Sequence, residues 1–137
     1  MTVSPYVFFD GRADEAIEFY KKALGAKVNM LLRYKESPDP NTAQHMPPGT
    51  GENIMHAELL IGESLVMVSD GRCGGNATFD GFSLSMDLAT AAEAERIFAA
   101  LSEGGNVQMP MAETFFSPRF GMVADKFGVV WLVMARK

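Results

Sequence analysis

The sequence predicts an α+β fold of two βαβββ modules in one chain, and three features of its 137 residues predict it. Two segments carry apolar side chains at helical spacing. Each follows one short β-like run and precedes three more. A glycine turn falls before the last run of each set.

The first helix is expected where Ala13, Ala16, Ile17, Tyr20 and Leu24 form an apolar stripe opposite Asp14, Glu15, Glu18, Lys21 and Lys22. Gly25 supplies the stop, since glycine takes the left-handed conformation that ends helices. The second is expected around Ala94, Ile97, Phe98 and Leu101. Thr90 with Glu93 forms a capping-box start, and Gly104-Gly105 ends the segment.

Strand-like runs surround both helices. Tyr6–Phe9 leads into Asp10 and the first helix; alternating Val28, Met30, Leu32 and Tyr34, then Ile54–Ile61, then Leu65–Val68 beyond Gly62-Glu63 follow it. Phe82–Met86 leads into Asp87 and the second helix; Val107–Met109, Phe120–Ala124 and Val129–Ala135 beyond Gly128 follow. We read residues 1–137 as one domain, with a first module over about 1–70 and a second over about 79–137. From Asp10 to Asp87 is 77 residues but from Gly62 to Gly128 only 66, so the first module carries 11 extra residues. They fall in the insertion 35–53, which holds four of the seven prolines. Long irregular loops inside compact domains are usually functional or mobile. A surface insertion and a lid over a pocket are both open readings.

Composition narrows the function classes. The net charge is −5 and the basic residues are scattered, so no nucleic-acid partner is expected. No apolar run approaches the ~20 residues that cross a bilayer, so no membrane partner is expected either. The start MTVSPYVFFDGRADE lacks the basic and apolar regions of a secretory signal. Cys73 is the single cysteine, which excludes an internal disulfide and fits a reducing, cytoplasmic setting. GxGxxG after a strand, GxxxxGK[ST], GxSxG and HExxH are all absent from the sequence.

PYVFFDGRADEAIEFYKKALGA, HAELLIGESLVMVSD and DKFGVVWLVM resemble, in order, three stretches of PhnB-like proteins, a branch of the glyoxalase/bleomycin resistance/extradiol dioxygenase (vicinal oxygen chelate) superfamily. GFSLSMDLATAAEAERIFAALSEGGNV is similar to the opening of the second half in that superfamily. The resemblance implies paired βαβββ modules whose strands curl into an open cup around a small-molecule cavity, often assembled as a homodimer. Similar proteins sometimes carry a ubiquinone-methyltransferase label. No glycine-rich loop opens a helix here to hold a nucleotide-like methyl donor.

Metal-dependent members of the superfamily hold a divalent ion with His and Glu side chains from four strands. The matching positions here are Pro5, Glu58, the neighbourhood of Gly81-Phe82, and Leu132. Only Glu58 is a ligand residue, so neither a metal nor another cofactor is expected.

His56 and Glu58 lie two apart on a strand and so share a face, the cup's inner one if the match holds. Ala57, Leu59 and Ile61 would then pack beneath the helices. Glu58 is placed to act as a catalytic base with His56 in support, and a structural hydrogen-bonded pair is the competing reading. Tyr6 and Phe8 are core or ligand-stacking residues. Leu132 is core or the floor of the cup. Phe116 and Arg119 suit a planar anionic ligand or form a packed loop with a surface charge. His45 in the insertion and Cys73 beside Arg72 are expected to be solvated loop residues. The expected function is binding or sequestration of an unidentified small molecule, with metal-independent catalysis as the alternative and a metal-dependent lyase, isomerase or dioxygenase ranked last.

Overall fold

The computed structural model describes residues 1–42, 46–71 and 77–137, and it divides into two compact units, Met1–Ala77 and Thr78–Lys137. His45, Arg72 and Cys73 lie outside the described residues.

The first unit runs β1 (Tyr6–Phe8), α1 (Ala13–Leu24), β2 (Lys27–Arg33), a 3-10 turn at Tyr34–Glu36, β3 (Ile54–Ile61) and β4 (Ser64–Ser69). Its sheet has the order β1-β4-β3-β2. Strand β1 is parallel to β4, and the other pairs are antiparallel. The second unit repeats the plan with β5 (Leu84–Leu88), α2 (Ala91–Ser102), β6 (Asn106–Ala112), β7 (Phe120–Ala124) and β8 (Val130–Ala135). Its sheet order is β5-β8-β7-β6, with β5 parallel to β8. The α+β class and the βαβββ order read from the sequence are both present.

The helical stripes bury as their spacing requires, because each apolar stripe faces the sheet of its own unit. In α1, Ala13, Ala16, Ile17, Tyr20 and Ala23 are buried, whereas Leu24 stays half-exposed beside the Gly25 stop. Gly25 sits at φ 68°, and the amides of Gly25 and Ala26 bond back to Lys21 and Tyr20. In α2, Ala94, Ile97, Phe98 and Leu101 are buried, and Thr90 Oγ1 accepts from the Glu93 amide at 3.1 Å. Val7, Ala57, Leu59, Val66 and Val68 supply the buried sheet face of the first unit; Val123, Trp131, Val133 and Ala135 do so in the second.

Two strands differ from the sequence reading by more than one residue at an end. Strand β5 starts at Leu84, leaving Phe82 outside it and 48% exposed, and continues through Asp87 to Leu88. Hydrophobicity alone put Phe82 in the strand, but its backbone has no partner on β8, whose pairing begins at Leu84↔Trp131. Strand β6 runs past Met109 through Pro110 to Ala112, with register shifts on both sides of Met109. A proline is tolerated there because β6 is an edge strand.

Helix α1 receives no side-chain cap from its own N-cap residue, Arg12. The cap comes from Asp70, just past β4 and 1% exposed. Its Oδ1 accepts from the amides of Gly11 at 2.7 Å and Ala13 at 2.9 Å, and its Oδ2 accepts from the Ile54 amide at 2.8 Å. One carboxylate therefore joins the β1–α1 turn, the start of β3 and the end of β4. Asp125 does a comparable job in the β7–β8 turn. It accepts from the Phe127 and Val129 amides and from the Trp131 indole, at 2.9, 3.1 and 2.9 Å.

The insertion is closed at its base. The Tyr34 and Lys35 amides bond the Asn53 and Gly51 carbonyls, and Lys35 pairs with Glu52. That hydrogen bond is the main reason the exposed Glu52 carboxyl lies below its ordinary range. Arg33 grips both Asp14 oxygens on α1, at 2.7 and 3.0 Å, which raises its own pKa.

Removing the Asp70 carboxylate strands three backbone donors. Asp70→Ala is expected to cost about 3 kcal/mol or more in chemical denaturation, since each buried unsatisfied donor costs about 1–3 kcal/mol. Gly121→Ala tests packing instead. An added Cβ would stand 2.7 Å from Met111 Sδ, 2.8 Å from Phe98 Cε2 and 3.1 Å from the Met109 carbonyl. A loss of about 1–3 kcal/mol, the range for overpacked cores, is expected in the same assay.

Candidate functional site

Strand parity divides the first sheet into a face buried against α1 and a face left open. On the open face, Tyr6 of β1 pairs with Met67 of β4, Met67 with Glu58 of β3, and Glu58 with Met30 of β2. Four strands thus bring Tyr6, Met67, Glu58 and Met30 into one transverse row. Phe8 lies two residues along β1, and His56 two along β3, opposite Leu32. Tyr6 and Phe8 are 38% and 49% exposed, while the side chains of His56 and Glu58 are 23% and 33% exposed.

Three polar groups on this face form one chain. Tyr6 Oη lies 2.7 Å from His56 Nδ1, and His56 Nε2 lies 3.3 Å from Glu58 Oε2. Donor bookkeeping favours one arrangement. With a neutral imidazole beside a carboxylate acceptor, Nε2 carries the proton and Nδ1 is left as acceptor for the tyrosine hydroxyl. Burial raises the Tyr6 phenol above its ordinary value, with the neighbouring Ser69 hydroxyl opposing the shift. Tyr6 therefore enters the chain as a neutral O–H donor.

The apolar part of the face is aromatic and soft. The Tyr6 and Phe8 rings stack with centroids 4.8 Å apart and planes 8° from parallel, and the His56 ring tilts against Tyr6 at 5.4 Å. Met67, Met30 and Leu32 continue it across the sheet. Such a surface can stack a planar body and offer hydrogen bonds at one edge.

The remaining sequence candidates lie in the second unit. Leu132 is half-buried on the open face of that sheet, paired with Ser85 on one side and Met122 on the other, with Met109 beyond. Phe116, 42% exposed, meets Phe120 edge-on at 5.1 Å. Arg119 turns to α2, with Nε 2.7 Å from Glu95 Oε1.

The side chains at the four superfamily metal positions do not fit a metal. Pro5 gives its carbonyl to the Met67 amide, Gly81 in a bend and Phe82 after it precede β5, and Leu132 offers only carbon. Among the described residues, no three His, Cys, Asp or Glu side chains converge as a metal site. Glu58 stands alone of that set, with His56 as its partner.

The link the sequence left unseen is Tyr6 to His56. Strand parity signalled that Tyr6 shares a face with Phe8, but β1 reaches β3 only across β4. No spacing rule connects residues 50 apart.

This fold is that of the glyoxalase/bleomycin resistance superfamily. It is shared with a glyoxylase/bleomycin resistance protein/dioxygenase domain from Frankia sp. EAN1pec, with a TM-score of 0.65 at 18% identity over 98% of this chain and 93% of that one. Within it, the chain belongs to the family whose model is described as 3-demethylubiquinone-9 3-methyltransferase, which matches residues 1–134. It is 36% identical to Protein YjdN of Escherichia coli (strain K12), over 97% of this chain and 94% of that protein. The crystal structure of protein PA1353 from Pseudomonas aeruginosa superposes with a TM-score of 0.86 at 37% identity, covering 99% and 98% of the two chains. The Bacillus cereus structure described as a putative 3-demethylubiquinone-9 3-methyltransferase, PhnB protein, gives 0.80 at 27% identity, covering 98% and 99%.

The raised Tyr6 phenol makes a prediction about alkaline stability. A group whose folded pKa exceeds its unfolded value stabilises the fold below the unfolded pKa and loses that contribution as pH rises through the folded one. The window here opens at the ordinary value of 10.0. Urea midpoints of the wild type are expected to fall more steeply above it than those of Tyr6→Phe. Parallel curves would show that Tyr6 ionises as freely in the fold as in the unfolded chain.

Proposed function

We propose that the protein binds a small molecule on the open face of its first sheet, with Tyr6 and Phe8 stacking an apolar planar body and His56 and Glu58 anchoring a polar edge. The observation that carries this reading is the hydrogen-bonded Tyr6–His56–Glu58 chain set in an otherwise apolar, partly exposed strand surface. A purely structural pair would normally be covered, because leaving stacked aromatics in water forgoes the burial that stabilises folds. Within the second unit taken by itself, Leu132 and Phe116 are the apolar candidates for ligand contact. Arg119 is assigned a lesser part, because Glu95 already engages its guanidinium.

A second reading, metal-independent proton transfer, is favoured by the His56–Glu58 hydrogen bond itself. A carboxylate that orients an imidazole and stabilises its protonated form is a general-base arrangement. The methyltransferase wording of the family description finds no support in a methyl-donor loop within this sequence. We place the protein in the cytoplasm on its single cysteine; among the described residues, no helix is long and apolar enough to cross a membrane.

We also propose a homodimer. Val28 and Met30 on edge strand β2, and Val107 and Met109 on edge strand β6, are each about 40% exposed. Unpaired strand edges carrying apolar side chains ordinarily need cover, and a second copy is the commonest cover.

The binding reading is tested with anilinonaphthalene sulfonate, whose fluorescence reports an apolar aromatic site. Phe8→Ala is expected to weaken its binding about five-fold, the scale of one aromatic stacking contact. Because Phe8 is exposed, the melting temperature should barely move. A large drop in melting temperature with unchanged dye affinity would make the stacked pair structural. The assembly reading is tested by light scattering, which should give twice the chain mass at micromolar concentration.

A further inference from the structure

We propose that Tyr6 is the specificity-determining residue of this face, and that it selects ligands bearing a hydrogen-bond donor on an aromatic or similarly planar body. This rests on the binding reading above and goes further, naming the atom that meets the ligand and the chemistry it accepts.

The argument follows the direction of each hydrogen bond. Glu58 Oε2 takes the Nε2 proton of His56 at 3.3 Å, so Nδ1 presents a lone pair to Tyr6 Oη at 2.7 Å. A phenol has one proton, and here it is committed to His56. Toward everything else Tyr6 Oη is an acceptor. The buried Ser69 hydroxyl is directed to the Ile54 carbonyl at 3.4 Å. Acceptor capacity on Tyr6 Oη therefore remains for a ligand, at the exposed edge of a side chain 38% accessible.

A ligand O–H or N–H placed there extends the chain to four members. Each link then donates to the next, ending on the carboxylate. A carbonyl or ether oxygen placed there instead would face the lone pairs of Tyr6, and its hydrogen bond would require breaking the Tyr6–His56 link. The stacked Tyr6–Phe8 rings set the plane of the ligand body beside that donor. Discrimination of this kind is strong when a site's polar groups are already oriented, because the wrong ligand leaves one unpaired.

The same arrangement gives the second functional reading a definite route. The ligand's O–H bond breaks and its proton passes to Tyr6 Oη. Tyr6 in turn gives its own proton to His56 Nδ1, and the imidazolium faces the Glu58 carboxylate. The ligand is left as an oxyanion, and no other reactant is consumed.

Two measurements test the proposal. The first is the nitrogen-15 spectrum of the two histidines, with His45→Gln assigning His56. A neutral His56 held as the Nε2–H tautomer, with an Nδ1 resonance that moves in Tyr6→Phe, is the expected result. A dominant Nδ1–H tautomer would overturn the proposal, since Tyr6 would then accept from His56 and be free to donate outward. The second compares β-naphthol with its methyl ether, which share a planar body and differ in one donor. The wild type should bind naphthol about five-fold more tightly than the ether, the scale of one neutral hydrogen bond. Tyr6→Phe keeps the ring and should bind both alike. Equal binding of the two probes by the wild type would sink the selectivity while leaving the binding face intact. Binding of neither probe, by a chain that melts normally, would sink both.

Discussion

The first unit depends on one buried carboxylate. Asp70 lies just beyond β4, and its two oxygens take amide protons from Gly11, Ala13 and Ile54. A charge taken out of water is costly unless it is fully hydrogen-bonded, and here it is held by backbone alone. The constraint also runs the other way. Helix α1 has no cap of its own, and β3 opens with an amide that needs an acceptor. Fixing those three segments against the end of β4 sets the register of β1 beside β4 and of β3 beside β4. That register places Tyr6, Met67 and Glu58 in one row.

The open face inherits its character from this register. Parallel pairing of β1 with β4 leaves Val7 buried and turns Tyr6 and Phe8 outward. Antiparallel pairing of β3 buries Ala57 and Leu59 and turns His56 and Glu58 the same way. The tyrosine hydroxyl reaches the imidazole because only one strand separates β1 from β3. An aromatic shelf with a hydrogen-bonded polar chain at its edge is the outcome. Its polar members are few and partnered, which suits recognition of a mostly apolar molecule.

The two units share an order of elements but solve their polar problems differently. The first uses a carboxylate between distant segments. The second uses Asp125 within the β7–β8 turn, where it holds Phe127, Val129 and Trp131. The open face of the second sheet carries Leu132, Met122, Met109, Phe120 and Met134, without a counterpart of His56 and Glu58 at the paired positions. The Tyr6–His56–Glu58 chain thus has no equivalent on β7 of the second unit.

Periodicity alone determined the elements of this protein. The stripes at Ala13–Tyr20 and Ala94–Leu101 define the helices, and the Gly62 and Gly128 turns divide the paired hairpins. Strand parity likewise put His56 with Glu58 and Tyr6 with Phe8, because side chains on a strand alternate strictly between faces. Exact boundaries escaped it: hydrophobicity cannot tell Phe82, outside β5, from Leu84, which pairs with Trp131. Tertiary structure decided how those local pairs combine. Strand order is a property of hydrogen bonding between distant segments, so it alone joined Tyr6 to His56 across β4 and made Asp70 the cap of a helix 57 residues away. The sequence could name the residues of the candidate site in pairs. Only the register, set by long-range backbone pairing, made them a single chain.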